Sequence, residues 1–65
     1  MKANFKLKQA RAERDMTQQE LAQAIGLSLM AYNLKENGKR AFVEEEIAKI
    51  CTVLDKSADD IFFNQ

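Results

Sequence analysis

The chain has 65 residues with ten basic and ten acidic side chains, 46% hydrophobic content, one cysteine and neither histidine nor proline. That length allows one small domain, residues 1–65, whose thin core is most easily built by packing helices. Without histidine there is no His-based triad, no His-ligated zinc and no imidazole base, and lone Cys51 leaves no intramolecular disulfide, so the composition points away from an enzyme, a metal or a cofactor and toward a reducing, cytoplasmic setting.

No apolar run approaches the roughly 18 residues needed to span a bilayer, and the first six residues lack the apolar stretch of a signal peptide, so no membrane partner is expected. The zero net charge hides an uneven distribution. Lys2, Lys6, Lys8, Arg11 and Arg14 against Glu13 give residues 1–14 a charge of +4, and residues 15–34 carry −2. Residues 35–40 return to +2, and residues 41–65 carry −4, so the chain reads as a dipole.

Helix starts and stops recur at short intervals, with no sustained alternation of the kind a strand needs, so the fold class is all-α. A first helix starts at the Asn4 cap and runs to about Arg14, ending near Asp15. Thr17 and Glu20 then form a capping box with Met16 stapled onto Leu21, and the helix they open buries Leu21, Ala22 and Ile25 before stopping at Gly26. Ser28 caps a third helix, Leu29 to Glu36, closed by Asn37 and Gly38; the short connection makes the second and third helices a helix-turn-helix. A fourth helix, Glu44 to Leu54, opens on three glutamates that suit its positive dipole end and turns Ile47, Ile50, Cys51 and Leu54 inward. A short fifth is capped by Ser57, carries Asp59 and Asp60 in its first turn and docks through Ile61 and Phe62.

The segments Leu7-Lys8-Gln9-Ala10-Arg11, Met16-Thr17-Gln18-Gln19-Glu20-Leu21-Ala22, Ile25-Gly26-Leu27-Ser28, Glu36-Asn37-Gly38-Lys39 and Ile50 through Asp60-Ile61-Phe62 together resemble the Cro and phage-repressor helix-turn-helix family across nearly the whole chain. The resemblance implies a compact five-helix domain that binds operator DNA, a transcriptional regulator of the phage or prophage repressor kind, with the second helix across the DNA backbone and the third in the major groove. It implies phosphate contacts from Gln18 and from Asn37, Lys39 and Arg40 in the loop after the third helix. Lys35 departs from the pattern, standing where many relatives have an aliphatic residue; its stem can lie on apolar neighbours while the ammonium reaches the surface near the DNA backbone or near Glu36, which makes it a further phosphate candidate. The resemblance also implies a structural ion pair between Arg11 and Glu36. The basic first segment would then help steer the chain to the duplex, and the acidic last segment would face away.

At about 100° per residue, the third helix places Leu29, Met30, Asn33 and Leu34 on one outward arc and Ala31, Tyr32 and Lys35 on the other. Relatives usually carry polar base-reading side chains on that outward arc, whereas here three of its four residues are apolar. Four readings follow. The arc reads thymine methyls, with Asn33 pairing to adenine; Leu29, Met30 and Leu34 form a docking patch for a protein, as in antitoxin-type relatives; the face is repacked, with Tyr32 or Leu34 partly buried; or the recognition helix is altered and binds DNA weakly.

Phe42 is expected to fill the core beneath the fourth helix. Glu44, Glu45 and Glu46 diverge around a helix and cannot converge on one ion. Cys51 is expected to be a small buried hydrophobe. Phe63 either docks on the bundle or makes a homodimer contact on DNA, and the second is favoured because the usual target of this motif is a pair of half-sites.

Overall fold

The computed structural model describes residues 3–63, so Lys2, counted above in the basic first segment, lies outside the described residues. Four α-helices follow in chain order: α1 Phe5–Glu13, α2 Gln18–Ala24, α3 Leu29–Glu36 and α4 Glu44–Leu54. The chain closes with one wide, π-helical turn, Asp59–Phe63, where the sequence suggested an ordinary short α-helix. The all-α, five-element architecture agrees with the sequence reading, and no strand occurs among the described residues.

Each helix begins where a side chain can serve its unpaired amides. Asn4 Oδ1 accepts from the Leu7 amide at 2.9 Å, and Ser28 Oγ accepts from the Ala31 amide at 3.1 Å. The reciprocal box at α2 is complete, with the Glu20 amide donating to Thr17 Oγ1 at 3.1 Å and the Thr17 amide donating to Glu20 Oε1 at 2.8 Å. Before α4 the cap residue is Val43, which has no acceptor of its own; its amide donates instead to Glu46 Oε1 at 3.0 Å. Ser57 Oγ accepts from the Asp60 amide at 3.1 Å, as its position suggested.

The four α-helices end alike. In each, the amide after a left-handed residue reaches back to the carbonyl five positions earlier: Met16 to Arg11, Leu27 to Ala22, Lys39 to Leu34 and Lys56 to Cys51. Gly26 at φ 80° and Gly38 at φ 79° take the left-handed conformation without a Cβ penalty, while Asp15 at 54° and Asp55 at 53° hold it at the other two ends.

Leu7, Ala10, Leu21, Ala22, Ile25, Tyr32, Ile50, Leu54 and Ile61 form the core. Helix α2 packs on α3 and α4, and α1 packs on the terminal turn. Phe42 behaves as a core residue, its ring 6.0 Å from that of Tyr32 and 5.6 Å from that of Phe62, the latter edge-to-face. Ile47 and Cys51 are only half-buried, and burial pushes the Cys51 thiol above its ordinary pKa. Two exposed ion pairs join the basic first segment to the acidic last one, Arg14 with Asp55 at 3.7 Å along the charge dipole and Lys56 with Glu13 at 3.6 Å against it.

Candidate nucleic-acid interface

The buried side of the helix-turn-helix is organised around one carboxylate. Glu36, the last residue of α3, is 0% exposed and is the one charged side chain in the core among the described residues. It accepts from Arg11 Nε at 3.1 Å, from Arg11 Nη2 at 3.1 Å, from Gln18 Nε2 at 3.0 Å and from the Tyr32 hydroxyl. A buried ion is tolerable only when its lone pairs are met, and here both oxygens are. Burial opposes the charge on Glu36, but the donors from Arg11, Tyr32 and Gln18 outweigh it and hold the carboxyl below the usual range. The bond to Glu36 likewise raises the Arg11 pKa against the effect of burial, while burial and then the hydrogen bond to Glu36 raise that of Tyr32.

The pair is also a brace. Arg11 stands on α1 and spends Nη1 on the Met16 carbonyl at 2.8 Å, so one guanidinium fixes the α1–α2 turn and the end of α3 together. The Asn4 amide adds a second tie, donating to the Glu36 carbonyl at 2.9 Å. The orientation of α3 is thereby set from its buried side.

The outward side of α3 follows the arc drawn from the sequence. Leu29 is 45% exposed and Met30 76%, Asn33 is exposed, and Leu34 is half-buried. Tyr32 lies on the inward arc and is completely buried. Leu34 and Tyr32 are thus covered without the helix turning Leu29, Met30 and Asn33 away from solvent. Val43, 55% exposed in the segment leading into α4, was not singled out in the sequence because it reads as an ordinary helix flank.

Lys39 and Arg40 are exposed directly after α3, in a loop pinned to the helix end. The Gly38 amide donates to the Lys35 carbonyl at 3.1 Å, and the Lys39 and Arg40 amides both donate to the Leu34 carbonyl at 2.8 and 3.3 Å. The backbone that carries these two cations is therefore tied to the last turn of α3. Asn37 is half-buried, and its Nδ2 donates to the Asn33 carbonyl at 2.9 Å.

Two expectations change in detail. The Lys35 ammonium reaches neither Glu36 nor open solvent: it donates to both oxygens of Glu46, at 2.6 and 2.8 Å, with the side chain only 12% exposed. Burial disfavours the Glu46 charge, but the bonds from Lys35 and from the Val43 amide hold its carboxyl below the usual range. Lys35 thereby ties α3 to the start of α4. Gln18 is turned inward, bridging Glu36 and Asn33, rather than extended from the start of α2.

Among the described residues no group of acidic or thiol side chains could hold a metal ion, and no helix is long and apolar enough to cross a membrane.

A family described as helix-turn-helix matches residues 7–61, most of the chain. No curated protein matches the chain. The crystal structure of the clp gene regulator ClgR from C. glutamicum superimposes with a TM-score of 0.77 at 29% sequence identity, over 89% of this chain and 75% of that one. The match over most of its length, together with the α2–α3 helix-turn-helix unit, shows that the chain belongs to the lambda-repressor-like helix-turn-helix family of DNA-binding transcription regulators.

Proposed function

We propose that the chain is a sequence-preferring regulator of the phage or prophage repressor or Cro kind, acting in the cytoplasm by occupying an operator with α3 in the major groove. The observation that carries this reading is the placement of exposed Lys39 and Arg40, on a loop fixed to the end of α3, beside an outward arc of Leu29, Met30 and Asn33. Phosphate contacts from Lys39, Arg40 and Asn37 supply most of the affinity, and base contacts from the arc supply the preference. Leu29, Met30 and the edge of Leu34 suit thymine methyls, and Asn33 suits adenine, which favours an A·T-rich half-site. Phe63, 66% exposed in the terminal turn, is offered as the contact between two copies on adjacent half-sites.

Fluorescence-anisotropy titrations of Lys39→Ala/Arg40→Ala against the unsubstituted protein test the reading. The double variant is expected to bind every duplex more weakly and to lower the slope of log K against log salt by roughly one to two units. An unchanged slope removes both residues from the interface.

The exposure of Leu29 and Met30 favours one second reading, a protein-docking face of the antitoxin kind. A folded protein that binds no duplex at low salt would favour that reading over the first.

A further inference from the structure

The buried carboxylate and the exposed arc of α3 are joined by a chain of hydrogen bonds with a fixed direction. Glu36 accepts and cannot donate, so the end of Gln18 that meets it must be the Nε2 amide, as found at 3.0 Å. A carboxamide has its acceptor at the other end, and Gln18 Oε1 accordingly accepts from Asn33 Nδ2 at 3.1 Å. That bond occupies one Nδ2 hydrogen of Asn33 and leaves its Oδ1 and the second Nδ2 hydrogen for a ligand on the exposed face of α3. Turning the Asn33 amide over would set its Oδ1 against Gln18 Oε1, and turning the Gln18 amide over would set two NH2 groups against each other.

We propose that Gln18 is a positioning residue that fixes the polarity of the Asn33 carboxamide, and that Asn33 so oriented selects adenine over guanine at one position of the DNA site. The inference rests on the DNA-binding reading above and deepens it. An acceptor and a donor side by side match the N6 amino group and N7 of adenine. Guanine presents two acceptors, O6 and N7, so the outward Oδ1 faces an oxygen there. The specificity of an exposed residue is thus set by a charge inside the core, and Gln18 differs from a phosphate grip in a measurable way. A grip contributes equally to every sequence; a positioning residue contributes at one base pair.

The test uses the full chain with duplexes chosen by selection from a randomised pool and then varied one base pair at a time, read by fluorescence anisotropy at two salt concentrations, for the unsubstituted protein, Asn33→Ala, Gln18→Met and Gln18→Ala, each checked for helicity by circular dichroism. At the position where Asn33→Ala abolishes preference, the unsubstituted protein should favour adenine over guanine by about tenfold. Either Gln18 variant should flatten that same position to about twofold or less while keeping the affinity for random duplex and its salt dependence. Guanine favoured at that position by the unsubstituted protein overturns the inference even if a Gln18 variant fails to fold. Uniform weakening on all duplexes with a shallower salt slope makes Gln18 a phosphate contact and also overturns it, leaving the DNA-binding reading intact. Failure of the unsubstituted protein to bind any duplex at low salt overturns that reading itself, and the base preference with it.

Discussion

Replacing Glu36 by glutamine keeps the shape of the side chain and removes its charge. The carboxylate accepts four hydrogen bonds, two from Arg11 and one each from Gln18 and Tyr32. Glutamine offers one acceptor oxygen, and its NH2 end faces donors whichever way it is placed: Arg11 Nε in one orientation, Arg11 Nη2 and Gln18 Nε2 in the other. The Arg11 guanidinium, whose side chain is 17% exposed, keeps its charge but loses its counterion. Breaking a buried pair from one side costs about 3–5 kcal/mol. Against that stands a total stability of roughly 3–10 kcal/mol for a domain of this size. We expect Glu36→Gln to lose about 3 kcal/mol or more. Urea unfolding followed by circular dichroism, with a slope of about 1 kcal/mol per molar, should then show the midpoint moving down by about 3 M or the variant already unfolded in buffer. The comparison is Glu45→Gln, which removes the exposed Lys49–Glu45 pair and should cost no more than about 0.5 kcal/mol. Equal midpoints for the two variants would refute the idea that the buried carboxylate organises the fold.

Three other outcomes follow from the same geometry. Glu36 and Glu46 are both held below their ordinary value of 4.5, so the unfolded chain binds more protons than the native one as pH falls. Their contribution is complete above about pH 4.5 and is lost as pH drops through the depressed native values; urea midpoints should fall between pH 5 and pH 3, and a flat profile would contradict the assignment. Asp15→Gly relieves a left-handed aspartate at φ 54°, worth about 1–2 kcal/mol, against a backbone entropy cost of about 0.5–1 kcal/mol, so a net gain of about 0.5–1 kcal/mol is expected in the same unfolding assay and a loss would show that the aspartate side chain serves that turn. Lys35→Met should leave the salt dependence of DNA binding unchanged, since the ammonium is neutralised by Glu46; a slope reduced by about one unit would return Lys35 to the phosphate contacts.

Most of the scaffold could be read from local chemistry. Asn4, Thr17, Ser28 and Ser57 cap because a short polar side chain precedes an apolar helical stripe, and Gly26 and Gly38 stop helices because only glycine takes positive φ freely. Asp55 gave no such signal, since an aspartate tolerates the left-handed region without announcing it. The arc of Leu29, Met30 and Asn33 followed from helical period alone, whereas the half-burial of Leu34 depends on neighbours that periodicity does not contain.

The partners of the longer side chains were harder to read. Resemblance to the family implied Arg11 with Glu36, but the convergence of Tyr32 and Gln18 on the same carboxylate requires α2 and α3 to be docked first. Lys35 is a similar case: on α3 its nearest acid in sequence is Glu36, but that side chain points into the core, and the carboxylate within reach is Glu46 across the turn. Glu46 itself reads as one of three dipole-favouring glutamates, and it is the position three residues after Val43 that makes it the cap of α4. Rotamer freedom, rather than weak patterning, separates the parts that sequence gave away from those it concealed.

On the proposed function, this chain meets DNA with the outward face of α3 and the loop behind it. Titrating an A·T-rich duplex into isotope-labelled protein and following backbone amide chemical shifts tests it directly. Perturbations are expected to concentrate at residues 28–34 and 37–40, with residues 44–63 largely unmoved; shifts confined to α4 and the terminal turn, or none at low salt, would rule this interface out.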